Sequence, residues 1–564
     1  MHATRVIPNV EGAPHLECGR AMQSGRPADL SQFCNADIDP LAASDQIASF
    51  LKSLEGSFAF GHRFPNGVAL MCVDRFARST LCYAIRDGRV SFAGRADQLA
   101  GPDRRIDLQA VFDYLFFHVI PSPRTIFQGV HRLPAAHYAL VSGSEAHVRP
   151  YWSPSDADIP AAAAFSDMKL SFRKLLKEAV LAELDGGKPG CFLSGGTDSS
   201  TIAGVIREVT GRAPSTYSIG FDAPGYDEMQ FARIAASHFG TDHHEYYVTP
   251  DDLVKSIADV AGWYDQPFGN SSALPAYYCA KMAGDDGVTR MLAGDGGDEL
   301  FGGNARYAKQ QVFDAYAKVP LRLRSSIIEP LFLNRSNSRL ALLRKASSYV
   351  EQARRPMPER THLYNLLLRL GIDAVLEPGF AHQIDPGGPA REEKRVWDAP
   401  DLSSTLDRTL AFDWRYTLAE CDLPKVRESC ALAGIDVGFP MLNEGLLALS
   451  QRLPNDWKVR RRDLRWFFKQ ALRDFLPSAI IEKKKKGFGL PFGVWTTQHK
   501  PLLSLAKDSL TSFGTRGVVR PTFIRTLLKT KLYEHPGYFG EMVWILLVLE
   551  QWLRKNAPDF AVAT

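Results

Sequence analysis

Cys191-Phe192-Leu193-Ser194-Gly195-Gly196-Thr197-Asp198-Ser199-Ser200 joins a short apolar run to a glycine-containing turn that opens into a helical pattern. Strand, turn and helix N-terminus in that order make an anion-binding site. The glycines let the backbone approach closely, and the first amides of the helix point at the ligand. Ser194, Ser199 and Ser200 add hydroxyl donors. No lysine follows the glycines, so this is not the phosphate loop in which a lysine closes the turn. Asp198 is the discordant member, because a carboxylate beside a phosphate repels it unless a cation lies between. A divalent metal bridging Asp198 to a pyrophosphate removes the conflict. A linker can also be built from Ser and Gly. The strand before, the helix after and the embedded acid favour a nucleotide site.

Outward from this turn, strand and helix signals alternate. The pattern predicts a helix over Asp167–Leu184, the strand Cys191–Leu193, and a helix through Val209 closed by Gly211. A strand Ser215–Phe221, a helix Asp227–Phe239 closed by Gly240 and a strand Glu245–Val248 follow. Thr249-Pro250-Asp251-Asp252 then caps another helix. A helix over about Ala273–Ala283 and a strand Val288–Leu292 complete the series. Such alternation predicts an α/β fold with a parallel, doubly wound sheet, whose ligands bind at the carboxyl ends of the strands. From about Tyr307 the chain reads as mostly helical.

Upstream, short strands at Ser57–Phe60, Val68–Val73, Val90–Phe92 and Tyr138–Val141, with turns such as Pro65-Asn66-Gly67 and a helix Leu108–Phe117, describe an α+β unit with its own core. Residues 1–40 show little periodicity, and Ser153–Ala164 has linker composition. Two domains are expected, 1–153 and 165–560, in keeping with 564 residues.

The composition, 45% hydrophobic and 23% charged with a net charge of +4, is that of a soluble globular protein and argues for neither a nucleic-acid nor a membrane partner. Eight cysteines without a C-x-x-C pair read as reduced thiols, and no apolar signal segment precedes them; the expected location is cytoplasmic. The apolar run Met542–Leu549 is too short to span a bilayer and reads as a buried helix.

A second loop, Gly294 to Gly303, packs Asp295, Asp298 and Glu299 among five glycines. Three acids this close repel without a cation, and the EF-hand spacing is absent. Asp298 is expected to share a magnesium ion with Asp198, while Asp295 or Glu299 orients the substrate or the nucleophile. Far downstream, Glu482 through Lys486 holds four lysines. Such a run reads as a solvated loop, or as a cationic loop meeting a pyrophosphate leaving group with one lysine pointing inward.

The two glycine-rich loops resemble the S-G-G-x-D-S-S and G-D-G-x-D-E-x-F-G-G motifs of the asparagine synthetase family. Ser218-Ile219-Gly220-Phe221, Gly240-Thr241-Asp242-His243-His244-Glu245, Asp265-Gln266-Pro267-Phe268 and Lys485-Lys486-Gly487-Phe488 extend the likeness, as do Arg132-Leu133-Pro134 and Tyr151-Trp152 upstream. The resemblance covers about residues 47–553. It implies an N-terminal glutaminase-like (Ntn-type sandwich) domain followed by an ATP-pyrophosphatase domain with a helical C-terminal part. It further implies ATP and Mg2+ as cofactors. Leu193, Ile219 and Gly294 would line the adenine and ribose side, Ser194, Gly195, Gly196, Thr197, Asp198 and Ser199 the phosphates, and Lys485 would be the catalytic lysine.

The sequence also departs from the family. Glutamine-using members begin M-C-G-I, whereas this chain begins Met1-His2-Ala3-Thr4; no glutaminase nucleophile is identified, and Cys18 and Cys34 cannot supply its amine. The N-G-E motif has no counterpart, and R-D-R-F-G-x-K-P-L has become Val73-Asp74-Arg75-Phe76-Ala77-Arg78-Ser79-Thr80-Leu81. In the substrate region K-V-D-R-x-S-M-A-x-x-L-E-V-R-x-P-F-L-D, the chain has Arg427-Glu428, Cys430-Ala431, Gly438 for the Arg, and Asn443 for the last Asp. Asn304 replaces a Tyr. These changes read either as drift with compensating pairs or as a pocket no longer built for aspartate.

An adenylating domain without an ammonia supply is similar to lasso-peptide cyclases and β-lactam synthetases. That likeness implies a carboxylate- and amine-bearing substrate, of which a precursor peptide is the favoured kind, with a leader-peptide-binding or protease protein as partner. Asparagine synthesis from free ammonia and a non-catalytic nucleotide-binding scaffold are the competing functions.

Overall fold

The computed structural model describes residues 5–6, 15–19, 21–23, 26–28, 44–64, 66–156, 164–333, 341–484, 487 and 489–563. Two β-layers form the N-terminal part. An antiparallel sheet runs, in spatial order, Arg5–Val6, His15–Gly19, Phe58–Arg63, Ala69–Val73, His137–Ser142 and Glu145–Pro150. The second sheet is Arg89–Ala93, Cys82–Arg86 and Val130–Arg132. Alternation decides which face each residue serves. Met71, Val73, Ala139 and Val141 pack toward Tyr83 and Val90 of the other sheet and Leu81 just before it. Phe58, Phe60, Leu70 and Leu140 turn the opposite way, onto Ile47 and Leu51 of the helix Ser44–Ser53.

The expectation that this unit has a core of its own holds where the two sheets face each other. It fails for the helix and for Cys82, Ala84 and Val130 of the smaller sheet, which join the cluster of the C-terminal helix. Leu108–Phe117, capped by Asp107 through the Gln109 and Ala110 amides, forms over the residues its pattern predicts. Its Val111, Phe112 and Leu115 lie in one cluster with Ile545, Leu549 and Trp552 of the C-terminal helix Pro536–Asn556. Tyr114 Oη donates to the Ile545 carbonyl at 2.9 Å. The run read as a buried helix is therefore buried partly by the N-terminal part of the chain.

After residue 164 a five-stranded parallel sheet follows, in the order Asp242–Val248, Ser215–Phe221, Gly190–Phe192, Arg290–Leu292, Asp436–Gly438. Strand order reverses direction on either side of Gly190–Phe192, and the crevice at such a switch point is where ligands bind. Helices Thr197–Thr210, Met229–Phe239 and Pro250–Trp263 connect the strands. They end or begin as their caps dictate: Gly211 and Gly240 take left-handed conformations, and Thr249 and Asp252 close a capping box. The fifth strand, Asp436–Gly438, is an addition to the sequence expectation. No helix among the described residues is long and apolar enough to cross a membrane. Cys72, Cys82, Cys191, Cys279, Cys421 and Cys430 are free thiols; the side chains of Cys18 and Cys34 lie outside the described residues.

Candidate active site

The first loop leaves the strand Gly190–Phe192 at the centre of the sheet and enters the helix Thr197–Thr210. Gly195 has φ +66°, a left-handed conformation that other residues adopt at a cost, and its missing side chain makes room for the Phe231–Ala232 backbone. Ser194 and Ser199 are folded onto each other, Oγ to Oγ 3.1 Å, with the Ser194 amide donating to Ser199 Oγ at 3.2 Å. Ser200, expected among the hydroxyl donors, is fully buried and its Oγ has no hydrogen-bond partner. A helix turns 100° per residue, so Ser199 and Ser200 cannot both face the loop mouth. Leu193 is 1% exposed and belongs to the core, leaving its backbone as the part that can face a nucleotide. Ile219, half-buried, lies on the adjoining strand.

The second loop follows the neighbouring strand, Arg290–Leu292, and comes down on the first. A Cβ at Gly294 would stand 2.8 Å from the Ser199 amide, so glycine is required for the approach. Asp298 opens the short helix Gly297–Phe301. It faces Asp198 across a single cation, the guanidinium of Arg465. Arg465 Nη1 lies 2.5 Å from Asp198 Oδ1 and donates to Thr197 Oγ1 at 2.6 Å, while Nη2 pairs with Asp298 Oδ1. Arg465 is 7% exposed and sits in a left-handed conformation (φ 56°) at the start of the helix Trp466–Ala471. Burial pushes the Asp198 carboxyl up, and Arg465 opposes that shift.

The remaining acids of the second loop look elsewhere. Asp295 meets Lys425 Nζ at 3.5 Å, and Lys425 also holds Asp422 at 2.9 Å. Burial raises the Asp295 carboxyl above its ordinary range against the pull of Lys425. Glu299, 6% exposed, turns toward Asp422 and Asp413, and burial with those two charges raises its carboxyl well above the usual value. Asp413 is fixed by Tyr307 Oη at 2.6 Å and Arg306 at 2.9 Å.

Of the four lysines, Lys485 and Lys486 lie outside the described residues, and Lys484 is exposed. Lys483 does point inward: its Nζ donates to the Gly195 carbonyl at 3.2 Å and to Glu228 Oε2 at 3.0 Å, and lies 4.6 Å from the centre of the Phe231 ring. Arg465, Lys425 and Lys483 were all missed in the sequence. Lys425 and Lys483 stood inside motifs already quoted; Arg465 sits among charged residues with no spacing that marks it.

The departures in the substrate region mostly serve packing. Glu428 pairs with Arg95 at 3.2 Å and Arg427 at 3.1 Å, and Arg427 donates to the Ala77 and Arg78 carbonyls. Cys430 is fully buried in the core. Asn443 caps the helix Glu444–Arg452, and Asn304 caps Ala305–Ala317. Gly438 faces Glu183, whose Oε2 would lie 2.7 Å from a Cβ there and is already paired with Arg290. Asp74 and Arg78 are likewise structural: Arg78, 3% exposed, binds Asp74 at 3.1 Å and Glu444 at 2.8 Å and reaches the Leu442 carbonyl at 3.3 Å.

Residues 171–554 match the family model of asparagine synthase, and residues 42–152 that of the glutamine amidotransferase domain. The glutamine-hydrolyzing asparagine synthetase 1 of Bacillus subtilis (strain 168) is 23% identical over 522 residues, covering 89% of this chain and 78% of that protein. A putative glutamine-hydrolyzing asparagine synthetase of Mycobacterium tuberculosis (strain ATCC 25618 / H37Rv) is 25% identical over 459 residues, 79% of this chain and 68% of that protein. A second such putative enzyme, from Methanocaldococcus jannaschii, is 34% identical over 262 residues, 44% of this chain and 50% of that one.

Proposed function

Because the chain belongs to the asparagine synthetase family of ATP-dependent carbon–nitrogen ligases, we propose that it joins a carboxylate and an amine of one peptide, as a lasso-type macrolactam cyclase. The carboxylate oxygen attacks the α-phosphorus of ATP, and pyrophosphate departs with the α–β bridging oxygen. The amine then attacks the acyl-adenylate; its proton is lost and AMP leaves.

The two loops supply what the first step needs. Backbone amides from Gly195 to the start of the helix, with Ser194 and Ser199, face the phosphates. Asp198 and Asp298 are the pair that would hold magnesium: they already share one cationic group, so their geometry fits a cation between them. When bound, the metal neutralises the pyrophosphate. Lys483 carries the lysine segment onto the loop backbone, where Lys485 would meet the leaving group.

The observation that supports a substrate-borne amine is the buried Asp74–Arg78–Glu444 set. In the segment where Val73, Ala77, Ser79 and Thr80 depart from R-D-R-F-G-x-K-P-L, the retained Asp74 and the adjoining Arg78 are committed to joining the two halves of the chain. A β-lactam-synthetase-like reaction on a small molecule would use the same machinery. Hydroxylamine trapping with ATP tests the reading: a hydroxamate should form with a peptide carboxylate and not with aspartate. Asparagine formed from aspartate and ammonia at a useful rate would overturn it.

A further inference from the structure

We propose that the helical arm formed by residues 318–333 and 341–360 is a docking surface for an acidic, leucine-bearing stretch of the peptide substrate, outside its reacting end. The inference rests on the cyclase reading and deepens it.

Charge is the first observation. Residues 318–333 and 341–360 hold eight basic residues against three acidic, a surplus of five in a chain whose net charge is +4, which leaves the remainder at −1. Such a concentration attracts an acidic partner and sets its approach. The second is apolar exposure concentrated in the same place. Eleven large hydrophobic side chains are exposed among the described residues, and four of them, Leu321, Leu323, Ile327 and Leu331, fall in one short stretch. Leu321–Leu323, Arg324–Ile328 and Glu329–Leu333 run on as continuous helical turns, so Leu323, Ile327 and Leu331, four apart, share a face. Leu321 is 69% and Ile327 56% exposed. Arg322, Arg344, Lys345 and Arg355 of the same arm are exposed, while Glu329 is engaged by Arg354 at 3.2 Å.

Position relative to the site is the third. The helix Ala305–Ala317 starts directly after the Asp298 loop, and its Arg306 pairs with Asp413 beside Glu299. Its 13 residues span about 20 Å, so a peptide seated on the arm reaches the acids with roughly six extended residues. Arg360 ties the far end of the arm back to Gln310 at 2.6 Å. The apolar row is short and interrupted, and the rest of the chain is net negative. Both features favour a peptide over an anionic lipid surface.

Fluorescence anisotropy tests this with two labelled peptides, one of repeating Glu-Leu-Glu-Ser and one with Lys in place of each Glu. The chain should bind the Glu peptide, less tightly as salt rises, and not the Lys peptide. Joint reversal of Arg322, Arg344 and Lys345 to Glu should weaken binding at least about tenfold. Leu323→Ser with Ile327→Ser, a change on an exposed face, should weaken it severalfold, and mant-ATP binding should survive in both variants. Equal binding of the two peptides, or binding indifferent to both variants, overturns the proposal. So does capture by vesicles of equimolar phosphatidylserine and phosphatidylcholine without peptide binding, or self-association that the Ser variants abolish without peptide binding. Glu-peptide binding with no hydroxamate from any peptide would leave the docking surface standing and remove the cyclase reading.

Discussion

Arg465 Nη1 lies 2.5 Å from Asp198 Oδ1, and the other terminal nitrogen of the same guanidinium pairs with Asp298. One cationic side chain thus closes the gap between two acidic loops that a magnesium ion is proposed to fill. If the two cations share that ground, Arg465→Ala should destabilise the metal-free protein by about 3–5 kcal/mol, the cost of stranding buried charge. Magnesium should then restore more stability to the variant than to the wild type. Thermal melting in EDTA and in magnesium checks this, and an equal response of both proteins would show that the guanidinium and the metal occupy different places.

Asp198→Asn and Asp298→Asn should each lower ATP–pyrophosphate exchange by about a hundredfold or more, since each would remove a ligand charge from the proposed magnesium. Both variants should still fold, because an amide can accept from Arg465 where the carboxylate did. Exchange at wild-type rates in either would remove that residue from the metal site.

Lys483 and Glu228 should behave as one unit. Their 3.0 Å pair holds the Lys483 ammonium at the Gly195 carbonyl, with Lys483 and Glu228 side chains 8% and 18% exposed. Lys483→Met and Glu228→Gln should each raise KM for ATP, and the double variant should be little worse than either. A double-mutant cycle on KM should give a coupling of about 0.5–3 kcal/mol. Additive effects would mean that the pair does not position the loop.

Local signals were read most faithfully where a cap or a period stands in the sequence itself. Leu108–Phe117 and Ser215–Phe221 form over the residues their patterns predict. Asp436–Gly438 gave no such signal, because three residues become a strand only through pairing with Arg290–Leu292. The partnership of Arg465 with both loops was equally hidden: Arg460-Arg461-Arg462 beside it reads as solvated charge, and only the tertiary fold brings residue 465 to residues 198 and 298. Arg427, Glu428 and Asn443 were readable as changes but not as to purpose, since an interface pair, a cap and a pocket wall use the same residue types.

Glu420 gives the seam between the N-terminal sheets and the helical part a defined response to acid. Its carboxylate accepts from Ser122 Oγ at 2.7 Å and Arg132 at 2.6 Å, and pairs with Arg415. Burial alone would raise this carboxyl; Arg415 and Arg132 outweigh it and hold the group below its ordinary value. A depressed folded value means that the pairing contributes in full above the unfolded carboxyl pKa of about 4.3 and is lost as pH falls through the folded value. Glu420→Gln should therefore cost about 3–5 kcal/mol at neutral pH, where it removes the carboxylate shared by the buried Arg132 and the half-buried Arg415. The gap between variant and wild type should narrow only below about pH 4, as the wild-type carboxylate takes up its proton. Melting temperatures of both proteins across that range measure it directly. A gap that stays constant down to the acid limit of folding would show that the Glu420 charge does not hold the seam.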